Sequence, residues 1–176
     1  PHAMRSYTFL PMLQILGGFG LAAIKRPMIG FFIMVVAAVS LVNFSKQYFE
    51  VFPATQSDSF QYALGSTVPA IIALSKNYDQ VVVSNRENLY QSYMFYLFYG
   101  HFDPAMYQRF GGTKSGGYAE THTIGKYVFR PIDWNKDQYE ENTLLVGNTS
   151  DFSPQVKALA VFQNLDGADA IKIVVP

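Results

Sequence analysis

Few residues in this chain stand close enough in sequence to share a chemical task. His101 with Asp103, and Glu120 with His122, each pair an imidazole with a carboxylate at a spacing open to a metal ion. A two-member set still lacks its remaining ligands, so neither pair predicts a metal site. Cysteine is absent, which excludes disulfides and thiolate ligands. Gly112-Thr113-Lys114-Ser115-Gly116-Gly117 has the composition of a phosphate-binding loop. That motif needs glycine directly before the lysine, where this chain has Thr113. Asp133, Asn135 and Asp137 alternate as at the start of a calcium loop, yet Gln138 takes the glycine position and Leu144 that of the bidentate glutamate. Nowhere do a nucleophile, a base and an orienting group fall into one pattern. The expectation is no catalytic residue, no metal and no cofactor.

Binding is the other chemistry to weigh. Tyr90, Tyr93, Phe95, Tyr96, Phe98 and Tyr99 crowd one short segment and can either stack on sugar rings or fill a core, with the core the better reading. Asn148-Thr149-Ser150 and Asn43-Phe44-Ser45 fit the N-glycosylation pattern, the latter too near an apolar segment for use. Lysine plus arginine equals aspartate plus glutamate, 13 each, so no basic stripe exists to hold a nucleic acid.

The elements that would carry these residues follow from periodicity. After residue 57 the apolar side chains Phe60, Leu64, Val68, Ile71, Ile72 and Leu74 recur at helical spacing, with Ser57 or Asp58 as the cap. Pro69 inside this run predicts a kink or two shorter helices. The β-branched run 79–84 reads as a buried strand, and 88–99 as an apolar, aromatic helix. Asp103-Pro104 opens a short helix that Gly111 ends, and 111–125 reads as a glycine-rich loop. Strands are expected at 127–132, 143–146, 158–162 and 170–175, the last two joined through Asp166-Gly167 as an antiparallel hairpin. The expected fold class is α/β: a soluble Rossmann-like domain over 57–176 with a mixed sheet and that antiparallel C-terminal hairpin.

Residues 1–50 are of another kind. From 7 to 24 and from 28 to 44 no side chain is charged, and Lys25-Arg26-Pro27 separates the two runs. At about 1.5 Å per residue each run nearly matches the ~30 Å hydrocarbon layer, so two transmembrane helices are expected. Hydrophobicity all round a helix marks a lipid-facing element rather than one covered by some 120 soluble residues. Gly17, Gly18 and Gly20, with Gln14, Ser40 and Asn43, suit packing against further membrane helices. Tyr48, Phe49 and Phe52 suit an aromatic belt. Lys25 and Arg26 place the connection in the cytoplasm by the positive-inside rule, and the soluble domain then lies outside. The opening Pro1-His2-Ala3 lacks an initiator methionine and a signal-peptide pattern, which reads as a start part-way through a longer protein.

Together, Pro1-His2-Ala3-Met4-Arg5-Ser6 before an apolar hairpin, the Tyr48-Phe49 exit and Asp79-Gln80-Val81-Val82-Val83-Ser84 resemble the end of the GT-C membrane glycosyltransferases. The similarity is greatest to the bacterial branch related to protein O-mannosyltransferases and lipid A aminoarabinose transferases. Tyr127-Val128-Phe129-Arg130-Pro131-Ile132-Asp133-Trp134, Leu144-Leu145-Val146-Gly147-Asn148 and the Asp166-Gly167 hairpin resemble the extracytoplasmic tail domain of that family. The resemblance implies a multi-pass plasma-membrane enzyme. It would move a sugar from a polyprenyl-phosphate carrier to a glycan, lipid or protein acceptor, in company with an N-terminal transmembrane domain. In that family the base is an acidic residue of the first outer loop, which no residue here matches. His2 and Arg5, at the outer membrane entry, are the candidates to bind the lipid phosphate, against simple interfacial anchoring. The competing expectation is a non-enzymatic, membrane-anchored domain that binds a glycan or a protein.

Overall fold

A computed structural model describes residues 9–109, 111–113 and 120–176. The chain divides into two compact units, Pro1–Glu50 and Val51–Pro176.

The first unit is helical. Helix α1 is Leu10–Ala22 and helix α2 is Pro27–Lys46. Pro11 and Pro27 stand in the first turns of their helices, where a missing N–H removes no intrahelical bond. Arg26, just before Pro27, is extended, as sterics against the proline ring require. Neither helix buries a residue. Phe31, Phe32, Met34, Leu41, Val42 and Phe44 are all exposed, and a Cβ on Gly17, Gly18, Gly20 or Gly30 would meet nothing. Helical structure continues through a π-turn at Gln47–Val51 into α3, Phe52–Gln56. Pro53 explains the π-turn: its ring excludes the carbonyl four residues back, and widening the helix there relieves the clash. Among the described residues one helical run, Pro27–Gln56, is long and apolar enough to cross a membrane. Helix α1 is equally apolar, but its 13 residues reach about 20 Å, short of the hydrocarbon thickness.

The second unit is an α/β domain. Helix α4 is Tyr62–Leu74, followed by a 3-10 turn at Ser75–Asn77, and strand β1 is Gln80–Val83. Next come α5 (Tyr93–Tyr99), α6 (Pro104–Arg109), β2 (His122–Ile124) and β3 (Tyr127–Phe129). The chain ends with α7 (Trp134–Asp137), β4 (Thr143–Gly147), β5 (Ala160–Gln163) and β6 (Asp169–Val174). The six strands form one mixed sheet in the order β2-β3-β1-β4-β6-β5. Strand β1 lies parallel to both β3 and β4, with Val82 opposite Val128 and Leu145. The pairs β2–β3, β4–β6 and β5–β6 are antiparallel, so the C-terminal hairpin is present.

Side-chain alternation divides the core between the two faces of the sheet. Val81, Val83, Leu144, Val146, Phe129, Ile171 and Ile173 pack on one face with Leu64, Val68 and Ile71 of α4 and Tyr93 and Tyr96 of α5. Val82, Leu145 and Val174 point the other way and meet Ile132, Phe152, Trp134 and Val156. The longer helices thus cover one face, and the short helix α7 and irregular chain cover the other.

Several boundaries differ from the expectation. Ser57 and Asp58 do not cap α4; residue 61 does, with Gln61 at φ 55 and its side-chain amide donating to the carbonyls of Asn88 and Tyr90 at 2.7 Å. Pro69 stays within a single helix. The expected helix at 88–99 is a 3-10 turn at Glu87–Leu89 and the shorter α5, because Gln91 at φ 55 interrupts it. Strand β3 stops at Phe129, and β2 falls inside the segment expected to be loop.

Candidate functional site

A cleft of about 710 Å³ lies between α6 and β2 in the second unit. Phe102, Met106, Tyr107, Gly112, Glu120, Thr121, His122, Thr123, Ile124 and Gly125 line it. Its volume falls in the range of small-molecule sites, roughly 300 to 1,000 Å³.

Local structure explains how the polar groups converge. Asp103 accepts the Ala105 N–H at 2.9 Å and starts α6, which carries Tyr107. Gly111 at φ 104 and Gly112 at φ 54 then reverse the chain, in conformations that cost other residues steric strain. The reversal brings Thr113 back to Tyr107. On the other wall, β2 pairs with β3 through a tight turn at Gly125, φ 58, which sets His122 opposite Phe129. Period-2 alternation buries His122 and Ile124 and exposes Thr123. Asn85, in the segment after β1, donates to the Glu120 carbonyl at 3.2 Å and fixes the entry to β2.

Within the cleft Tyr107 Oη lies 2.6 Å from His122 Nε2 and 3.0 Å from Thr113 Oγ1. Thr113 Oγ1 is in turn 3.0 Å from Tyr93 Oη. The Tyr93 ring packs against His122 at a tilt of 35°, with centroids 4.3 Å apart. Four side chains from α5, α6, the glycine turn and β2 therefore share one chain of hydrogen bonds. Burial pushes the Tyr107 hydroxyl above its ordinary pKa, only partly opposed by the Thr113 hydrogen bond. A tyrosine hydroxyl, with an ordinary pKa near 10, is already protonated at neutral pH, and the upward shift acts in the same direction.

A second polar centre sits at the carboxyl ends of the parallel strands. Asp151 accepts the Asn148 N–H at 2.9 Å and bonds Ser84, while the Asn148 amide donates to the Arg86 carbonyl at 3.2 Å. Ser84, Asn148 and Asp151 are all buried, and the Asn148 side chain also accepts the Asp151 N–H to close a capping box. This centre ties the ends of β1 and β4 together. Asn148 is thereby a buried internal donor, while Thr149 and Ser150 of the glycosylation pattern are exposed.

The remaining sequence candidates take structural places. Asp137 is buried and accepts from Arg130 Nη1 and Nη2 at 2.8 and 2.9 Å and from the Asp133 N–H at 2.8 Å, so the calcium-like alternation serves an ion pair. Asp103 caps α6, away from any shared role with His101. Among the described residues no group of three or more His, Asp or Glu converges as metal ligands. Of the aromatic segment, Tyr93 and Tyr96 are buried in the core while Phe98 is 74% exposed. His2, Arg5 and residues 114–117 of the glycine loop lie outside the described residues.

Glu120 and His122 do share a site, but with hydroxyls instead of further ligands. Tyr93 is legible as part of the aromatic segment, but its meeting with Tyr107 and Thr113 is not, since that depends on the two left-handed glycines and on β2. No protein-family model matches this chain, and no curated protein or solved structure does either.

Proposed function

We propose that this chain is the C-terminal portion of an integral membrane glycosyltransferase. The enzyme transfers a sugar from a polyprenyl-phosphate carrier to an extracytoplasmic glycan, lipid or protein acceptor. The observation that carries the membrane half of this reading is the 30-residue helical run Pro27–Gln56, with none of its apolar window buried. In water so large an apolar surface would aggregate; in lipid it is at rest. The sugar-transfer half rests on the resemblance in Pro1-His2-Ala3-Met4-Arg5-Ser6, in the segment around β1 and in Tyr127 to Trp134.

In this reading α1 belongs to a second span, with Lys25 and Arg26 on the cytoplasmic side and the α/β domain outside. The parallel β3-β1-β4 core with its crossovers supports a Rossmann-like outline. His2 and Arg5 contact the donor phosphate as cationic donors, and the catalytic carboxylate is contributed from another part of the enzyme. The α/β domain binds and does not catalyse.

Membranes bearing the complete enzyme, supplied with a radiolabelled polyprenyl-phosphate-linked hexose or pentose, test the reading. It expects the label to leave the lipid and appear on an acceptor, and Arg5→Ala to weaken use of the donor. Donors that all stay intact would refute the enzyme; unchanged donor kinetics would remove Arg5 from the site.

A membrane-anchored binding domain without transferase activity is the second reading. The cleft beside Tyr107 and His122 favours it, because a recognition site needs no nucleophile.

A further inference from the structure

We propose that the outer face of α4 and α5 rests on the bilayer surface, with Phe60, Tyr62, Met94, Phe98 and Tyr99 seated among the lipid headgroups. This rests on the membrane half of the proposed function and adds a lipid contact made by the α/β domain itself. Three observations point to it.

The first is charge. No Lys, Arg, Asp or Glu occurs from 59 to 75 or from 88 to 102, the stretches that hold both helices. A helix packed on a core ordinarily turns charged residues to water on its far side. Leu64, Val68, Ile71, Tyr93 and Tyr96 take the sheet side here. The far side of α4 carries Tyr62, Ser66, Pro69 and Ala73, all exposed at helical spacing, and that of α5 carries Met94 and Phe98.

The second is the exposed apolar area. Phe60 is 68% and Phe98 74% exposed, and Tyr62, Met94 and Tyr99 are exposed as well. The Phe98 and Tyr99 rings meet edge to face, centroids 5.2 Å apart. A Cβ on Gly65 of α4 would lie 3.5 Å from the Tyr99 hydroxyl, so the two helices share one patch. A patch of this kind marks an interaction surface, whereas single exposed apolar residues do not. Tyrosine, an apolar ring with a polar tip, suits the headgroup level.

The third is position, and it selects lipid over a protein partner. Phe60 follows the apolar run Pro27–Gln56 by four residues, at most about 14 Å of chain. Its ring packs against Phe52 of that run, centroids 5.9 Å apart. A bilayer that holds the run is therefore always within reach. The domain meets it without the loss of translational freedom that a separate protein undergoes on binding.

Site-directed spin labelling tests the proposal, since the chain has no cysteine to remove. Phe60→Cys, Met94→Cys and Phe98→Cys each take a nitroxide in the full chain, reconstituted into phosphatidylcholine liposomes. Tyr139→Cys is the water control: Tyr139 is 78% exposed beside Glu140 and Glu141, and it follows α7, which covers the other face of the sheet. Val42→Cys, within α2, is the lipid control. Collision with dissolved oxygen, which concentrates in lipid, is compared with collision with a water-soluble nickel complex. Oxygen should exceed nickel at the three face sites and at the Val42 site, and the ratio should invert at the Tyr139 site. Unchanged Trp134 emission reports that each variant keeps its fold, and a site that disturbs it is read from the other two. Nickel in excess at the face sites, with oxygen in excess at the Val42 site, overturns this face alone. Nickel in excess at the Val42 site overturns the membrane reading and this face with it. Shielding of the face sites from both reagents assigns them to a protein partner and overturns the lipid contact. Lipid exposure of the Phe60 site alone also overturns it, since the end of the apolar helix would account for that.

Discussion

Arg130 grips Asp137 with two parallel hydrogen bonds, Nη1 to Oδ2 at 2.8 Å and Nη2 to Oδ1 at 2.9 Å. The pair joins the end of β3 to α7, and the same carboxylate also holds the Asp133 N–H. Burial alone would raise the Asp137 pKa, but the Arg130 bonds and the Asp133 N–H outweigh it and hold the carboxyl below its usual range.

A depressed folded-state pKa stabilises the fold at pH values above the unfolded carboxylate pKa, about 4, and this stabilisation is lost as pH falls through the lower folded value. Asp137→Asn should therefore cost about 1 to 3 kcal/mol at neutral pH and flatten the acid limb of the stability profile. Trp134, the one tryptophan of the chain, packs edge-on to Phe152 at 5.7 Å and reports unfolding of this region. Wild-type stability in the variant, read by Trp134 emission in urea, would contradict the role of the fork.

Gly147 is the last residue of β4, and a Cβ there would lie 2.7 Å from Asp151 Oδ2 and 3.0 Å from Ile132 Cδ1. Neither neighbour can yield freely, because Asp151 is held by Asn148 and Ser84. Gly147→Ala should destabilise the domain by about 1 to 3 kcal/mol, measured by the same emission.

Burial raises the Asp151 pKa, and the bonds from Ser84 and Asn148 only partly offset it. The folded state then holds this proton more tightly than the unfolded state. Stability from this group is complete below the unfolded value, near 4, and declines as pH rises toward the folded one. Asp151→Asn keeps an acceptor for the Asn148 N–H and should remove that decline; urea midpoints on either side of the window measure it. A decline of the same size in the variant assigns the slope to another group.

Tyr96 is fully buried, and its hydroxyl has no hydrogen-bond partner among the described residues. Desolvation by burial, with Tyr127 nearby, puts its pKa well above the ordinary value. Tyr96→Phe should be neutral or stabilising by up to about 1 kcal/mol, since no bond is lost and a buried polar atom is removed. A loss of more than that, by thermal unfolding, would reveal a partner for the hydroxyl.

Strong local signals made part of this architecture legible. The β-branched run at β1, the strand-like run 143–146 and the Asp166-Gly167 turn pointed to a mixed sheet with an antiparallel end. The uncharged run after Pro27 marked the long apolar helix. What stayed hidden depends on backbone exceptions with weak composition cues. Gln61 and Gln91 adopt positive φ without being glycine, which moved the start of α4 and shortened α5. Strand β2 has three residues with mixed polarity, too few for periodicity to register. The cleft went unseen for the same reason, since His122 meets Tyr107 only once β2 exists and Gly111 and Gly112 have turned the chain.

Alkaline carbonate extraction of membranes from cells expressing the full chain tests most directly whether lipid surrounds the Pro27–Gln56 helix. The account predicts that the protein stays in the membrane pellet and enters solution only with detergent. Release into the supernatant as a monodisperse, detergent-free monomer would contradict it.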